Sequence, residues 1–301
     1  MSGHRHRHHA SKPKIALYIF LSFLLSCLML ALTLSVILRF TLFSESFVLK
    51  HMGKVGYHEL LRSEILRNLK DLGYASGIDE TFFDDFLDVE VVRNDVTKYI
   101  QDFYSGEKTV VNTDTFKDVF NTSLDEYIVK KNIKPDSVSA ENREYMVDRA
   151  VSIYRKSVQI PFAGRISGYF TAIKNALPMV IGVSSVFIIL SIIILVFSTK
   201  WKHRSVRYIC YATITVFLFM TGIFIALIST RNMRNLNISS KAVFDVFNSM
   251  SNGFTMVFLY SAVGFAILSM GLFILFRYLY PQNTHFHAGR HSLEVETGGS
   301  E

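Results

Sequence analysis

Four stretches of this chain run without a charged residue or a histidine for longer than a helix needs to cross a bilayer. They cover residues 15–38, 176–199, 208–230 and 253–276, and each exceeds the roughly 20 residues that carry a helix through hydrocarbon about 30 Å thick. Within lipid every backbone N–H and C=O must be paired inside the segment, so a helix is the conformation open to such runs. Half of the 301 residues are hydrophobic, a level that places the chain among membrane proteins rather than soluble ones. The alternative of four buried helices in one soluble core is a poor fit to uncharged runs of this length in a chain of this size.

The first run follows a basic leader, as a signal peptide would. Its 24 apolar residues are too many for the roughly 7–15 of a signal h-region, and no small-x-small cleavage site precedes Arg39. It reads as a retained anchor.

Four spans place both termini (1–14 and 277–301) and the short turn 200–207 on one side, and segments 39–175 and 231–252 on the other. The first side holds ten Lys or Arg against three acids, and the second 22 against 22. All of the net +7 therefore falls on one face. Short cationic loops resist translocation, so Lys200, Lys202, Arg204 and Arg207 are expected to form a membrane-orienting cytoplasmic hairpin. Trp201, Tyr208 and Tyr211 suit the headgroup zone beside it, as do Tyr278 and Tyr280 after the fourth run. The basic balance then reflects orientation and attraction to anionic lipid. No nucleic-acid motif accompanies it.

Segment 39–175 is mixed in charge and helical in period. Tyr57, Leu61, Ile65, Leu69 and Leu72 form one stripe with Gly73 as a stop, and Val89, Val92, Val96, Ile100 and Phe103 form a second ending near Gly106. Phe116, Phe120, Leu124 and Ile128 make a third stripe, entered past Thr113 and Asp114. Met146, Ala150, Ile153, Ser157 and Val158 make a fourth, stopping before Pro161. The expectation is an all-α extracytoplasmic domain of four or five helices between spans one and two, large enough for a core of its own. Its first and last helices are candidates for fusion with those spans. It contains no cysteine, since Cys27 and Cys210 both lie in the apolar runs; an exported domain without disulfides favours a bacterial surface. Asn121-Thr-Ser and Asn237-Ile-Ser match glycosylation sequons, which arise readily by chance.

The densest acidic group is "DETFFDDFLDVE", 79–90. It lacks the central Gly and alternating ligands of an EF-hand, which leaves a looser calcium site open. The plainer reading is a solvated acidic face whose phenylalanines pack inward. If the rings do not all fit the core, Phe82, Phe83, Asp84, Asp85, Phe86 and Asp88 become a patch for docking a partner. Histidines gather at the N-terminus (His4, His6, His8, His9) and in the C-tail (His285, His287, His291). Both sets read as tail residues rather than as a metal site, because nothing rigid holds them at ligand geometry.

A nucleophile elbow, HExxH, CxxC, a P-loop and GxGxxG are all missing from the sequence, so no catalytic residue, resident metal or cofactor is expected. The uncharged runs argue against proton relays, voltage sensors and ion-coupled transport. Their hydroxyls (Ser184, Ser185, Ser191, Thr213, Thr215, Ser261) fit bonds to their own helix carbonyls. Gly222 with Ala226, Ala262 with Ala266, and Gly264 with Gly271 offer small faces for helix packing. Pro178 is expected in the first turn of span two, where its missing donor costs little. Before it, "RISGYFTAIKNAL" is either an interfacial amphipathic helix or a direct continuation into the span.

The "GYHELLRSEILRNL" and "VEVVRNDVTKYIQDFYSGE" segments resemble poorly characterised membrane proteins of Gram-positive bacteria that carry a helical extracytoplasmic insertion after the first span. The likeness covers residues 40 to about 130 and rests on pattern; it implies no particular activity. The topology is also similar to mechanotransmission-type permeases of ABC systems, though little room remains after span two for the coupling helix of that family. The expected function is non-catalytic: a plasma-membrane protein whose outer helical domain binds a protein partner, a second copy or a ligand and relays it inward. The rival expectation is a permease or channel subunit working with other chains.

Overall fold

In the computed structural model the described residues are 12–84, 86–107, 110–132, 140–160, 163–199, 202–230 and 240–280. They are helical throughout, with no strand among them. The helices are α1 (Lys12–Phe40), α2 (Glu45–Lys54), α3 (Tyr57–Ala75), α4 (Val89–Ser105), α5 (Asp114–Lys130), α6 (Ala140–Val158), α7 (Ala163–Ser198), α8 (Lys202–Ser229) and α9 (Lys241–Leu279), with a 3-10 turn at Glu80–Phe83. Four of them, α1, α7, α8 and α9, are long and apolar enough to cross a membrane. The chain divides into two compact units. The span unit holds 1–38, 176–234 and 255–301, and the insert unit holds 39–175 and 235–254.

In the insert unit, α3 packs against α2, α4, α6 and the 3-10 turn, while α5 packs on α6. All four expected stripes face this core. Leu61, Ile65 and Leu69 of α3, Val92, Val96 and Ile100 of α4, Phe116 and Phe120 of α5, and Ala150 and Tyr154 of α6 are each at most 2% exposed. Burial of this kind contributes about 1.5–3 kcal/mol for each large side chain. The turn from α2 into α3 uses Gly56 at φ +63°, a left-handed conformation that glycine adopts without a Cβ clash.

Gly73 does not stop α3 as expected, and the helix continues to Ala75. The terminator is Gly77 at φ +74°. Gly77 N donates to Tyr74 O and Ile78 N to Gly73 O, the paired bonds of a Schellman end. Gly73 has a different role, because a Cβ there would lie 2.3 Å from the Phe83 ring. The Gly106 stop stands where expected, at φ +81°.

Segment 231–252 was expected to be a loop, yet from Lys241 onward it is helix. The 39-residue α9 runs from there through the fourth apolar run. Ala242 and Val246 are buried in the insert-unit core. Ser240 starts the helix by accepting from Val243 N, and Glu64 Oε1 accepts from Ala242 N at 3.1 Å.

Of the two readings for "RISGYFTAIKNAL", the direct continuation holds, since α7 is one helix from Ala163 to Ser198. Pro178 consequently sits in the helix interior rather than in a first turn, where it removes one backbone bond. At the other junction, residues 41–44 separate α1 from α2, so the first insert helix is not fused to the first span.

In the span unit Leu25, Ile188, Leu195, Tyr208 and Ala212 form the packed seam. Tyr18 donates to Ser198 O and Ser22 to Tyr208 O, each at 2.8 Å, tying α1 to α7 and α8. Ser269 donates to Thr213 Oγ1 at 2.9 Å, tying α8 to α9. Ser185 and Thr215 bond back to Ile181 O and Tyr211 O in their own helices. Among the described residues nothing lies within 4 Å of where a Cβ would stand at Gly222, Gly264 or Gly271, so no close helix packing is seen at these glycines. Tyr208 is buried, whereas Tyr211, Tyr278 and Tyr280 stay exposed. Only 17–22% of each span is buried inside the protein; the remaining apolar surface requires lipid or another chain to cover it.

Candidate functional site

The acidic segment 79–90 spends its groups on structure. Asp79 Oδ1 accepts from Thr81 N and Oγ1, and Asp88 Oδ1 accepts from Glu90 N at 3.0 Å, so the two aspartates cap the 3-10 turn and α4. Asp84 pairs with Lys70 at 2.6 Å. Arg62 donates to the backbone carbonyls of Leu87 and Asp84, fixing the loop between them. Phe83 and Phe86 are buried and Phe82 is half-buried. Phe82 meets Phe83, Phe120 and Tyr127 edge-on, and Phe86 meets Phe116 and Phe120 the same way. The condition for a docking patch, rings left outside the core, is therefore not met at these three. Asp85 lies outside the described residues. Among the described residues no three His, Cys, Asp or Glu side chains gather at a spacing that would hold a metal ion. The tail histidines, Asn237, Lys200 and Trp201 also lie outside them. Asn121 is inside α5, its amide donating to Lys117 O.

A polar hollow lies beside this segment, lined by Glu59, Arg62, Ser63, Leu87, Asp88 and Val89; the apolar one of the insert unit is elsewhere. A cavity of about 240 Å³ opens between α2, α3, α4, α9 and the end of α6. Val48 and Met52 reach it from α2, Tyr57 from α3, and Ile100, Phe103 and Tyr104 from α4. Val158 closes it on the α6 side, and Val243, Val246, Phe247 and Met250 line it from α9. Among the described residues no charged side chain lines it. Tyr104 donates to Leu42 O at 2.8 Å and Ser157 to Ile153 O at 2.9 Å, so both hydroxyls are already satisfied. Burial, then the Glu64 charge, pushes the Tyr57 phenol up to about 12. Burial, then Glu45, does the same to Tyr104. Both phenols therefore stay neutral at any physiological pH, and the wall is uncharged.

Two polar pairs lie within the insert unit. His51 Nδ1 is 2.8 Å from Ser249 Oγ, and the His51 ring lies tilted against Phe47, 4.5 Å between centroids. A Cβ at residue 253 would come within 2.6 Å of His51 Nε2, so only glycine lets α9 pass so close to this imidazole. Deeper in the unit, Tyr154 donates to Asp95 Oδ2 at 2.5 Å and stacks on Phe116 at 4.2 Å. Burial, relieved by this bond, raises the Asp95 carboxyl above its usual range.

Sequence reasoning had already placed Tyr57, Ile100 and Phe103 on core stripes. It missed the α9 wall. Val243, Val246, Phe247 and Met250 repeat at i, i+3, i+4 and i+7, which is the signature of one helix face. The polar residues interleaved with them disguised it as a loop.

No protein-family model, curated protein or solved structure matches the chain.

Proposed function

We propose that this is a multi-pass plasma-membrane protein, both termini cytoplasmic, whose insert unit lies outside, receives a ligand or partner and relays its presence to the cytoplasmic side without catalysis of its own. The observation that carries the reading is the apolar cavity, because α9 runs unbroken from its wall into a span. A ligand that spreads or tightens the cavity acts directly on that helix. Transmission needs an element with differential affinity for the ligand in two arrangements, and a helix shared by cavity and span is the simplest such element. The ABC-permease analogy gains no support: α7 ends at Ser198 and α8 begins at Lys202, which leaves no room for a coupling helix between them.

The test uses the full chain in lipid nanodiscs, with Cys27 and Cys210 replaced by alanine and spin labels at Ile15 and Tyr278, exposed positions near the tail-side ends of spans one and four. Val246→Phe fills the cavity and so imitates an occupant. The relay predicts a changed distance distribution between the labels relative to the unfilled protein. An identical distribution would remove it.

A further inference from the structure

We propose that the cavity binds one unbranched alkyl chain, the tail of a lipid or of a free fatty acid. This rests on the reading of the insert unit as a ligand receiver and names the ligand class. Size, wall chemistry and supply all point the same way. A cavity of about 150 Å³ holds benzene, so about 240 Å³ holds on the order of ten carbons in the same proportion. A polar ligand would need several wall groups with hydrogen bonds to offer; here the Tyr104 and Ser157 hydroxyls donate to backbone carbonyls, and among the described residues the Tyr57 hydroxyl and the Gln159 amide are the other polar side-chain groups at an otherwise apolar wall. Hydrocarbon needs none. Met52 and Met250 line the space from α2 and α9, and unbranched thioethers adapt to a chain whose conformation varies. Gln159, exposed and bordering the cavity, suits a headgroup left in water. Because α9 continues into a span, alkyl chains are the most abundant apolar solute such a protein meets.

The experiment places the full chain in phosphatidylcholine nanodiscs with two probes in separate arms. One is palmitic acid carrying a diazirine near its tail, and the other is phosphatidylcholine carrying the same group in one acyl chain. After illumination, mass spectrometry locates the label. The expected result is modification of the peptides containing Ile100–Phe103 and Val246–Met250 by at least one probe, falling several-fold in Val246→Phe while labelling of the spans is unchanged. The arm that labels identifies the source. Should Val246→Phe fail to fold, Val243→Trp at the cavity rim, where Val243 is 38% exposed, blocks entry without disturbing the core. Absence of label from both peptides in both arms overturns the proposal, as does undiminished label in the blocked variant. The spin-label measurement separates the two ideas. A distance change without cavity labelling leaves the receiver with another ligand, and cavity labelling without a distance change leaves the site and removes the relay.

Discussion

Gly73 sits in the last turn of α3, and exchanging glycine for alanine within a helix ordinarily stabilises it by up to about 1 kcal/mol. Here the added Cβ would lie 2.3 Å from Cε2 and 2.7 Å from Cζ of Phe83, and Phe83 is fully buried among other rings. Overpacking of a filled core typically costs 1–3 kcal/mol. Gly73→Ala is therefore expected to destabilise the insert unit by up to about 2 kcal/mol net, read as faster hydrogen exchange of α3 amides in the full-length protein; slower exchange would show that the ring moves aside freely. His51 and His58 set a second residue-scale expectation. Both are buried, and burial first, then the nearby Lys54 and Lys50 for His51 or Arg93 for His58, lowers their pKa below the usual 6.5. A depressed histidine pKa means that the unfolded chain takes up protons first, so stability is intact above about pH 6.5 and falls as pH drops through the window down to the folded-state values. Denaturant midpoints of the insert unit should decline from pH 7 to pH 5.5, and His51→Gln with His58→Gln should flatten that decline. Asp95, with its raised pKa, has the opposite sign: its contribution is lost as pH rises from the ordinary carboxylate range through the folded-state value.

At the scale of elements, what could be read in advance depended on how cleanly each helix separates its faces. The stripes of α3 to α6 were legible because most of their apolar positions face one core and most of the positions between them are polar or charged. α9 was not, since its first three turns alternate Phe244, Asp245, Asn248 and Ser249 with the four cavity residues, and only tertiary packing shows which face matters. The α1–α2 break and the α7 continuation were equally hidden, because periodicity alone does not fix where a helix bends or ends. Gly73 was misread for a related reason: the residue marks a close approach as readily as a terminus, and nothing local distinguishes the two. The cavity could not be foreseen at all, being made by five elements from distant parts of the chain. One element-scale expectation follows from how α9 begins. Its first turn is held by Ser240 and by Glu64, whose carboxylate reaches Ala242 N from α3. Loss of such a cap costs about 0.5–2 kcal/mol. Glu64→Ala should therefore speed hydrogen exchange across 241–247 and loosen the α9 wall of the cavity, while α5 and α6 amides keep their protection.

On the scale of the whole molecule, charge distribution and helix geometry make independent arguments about the tail-side turn. Lys202, Arg204 and Arg207 occupy the first two turns of α8 with no acid in the first turn. Cations at a helix N-terminus oppose the macrodipole, typically by about 0.3–1 kcal/mol each, so helix stability is not what places them there. Arg207 recovers part of the cost by lying over the Tyr208 ring, 5.5 Å from its centroid. What their position does satisfy is retention, because Lys and Arg close to a span resist translocation and gain about 1 kcal/mol each beside anionic lipid. Long segments translocate largely regardless of their charge, so the 19 Lys or Arg of segment 39–175 do not compete with those of the tails and the turn. Neutralising Lys200, Lys202, Arg204 and Arg207 to glutamine should therefore give a mixed-orientation population, while the same exchange at four lysines of 39–175 should leave the orientation uniform. The measurement is labelling of a single cysteine introduced at Thr199, in a chain with Cys27 and Cys210 replaced by alanine, by a membrane-impermeant maleimide on intact cells. In the parent chain the Thr199 cysteine should label only after the cells are opened; labelling from outside would reverse the arrangement and place the insert unit with its cavity on the inner side.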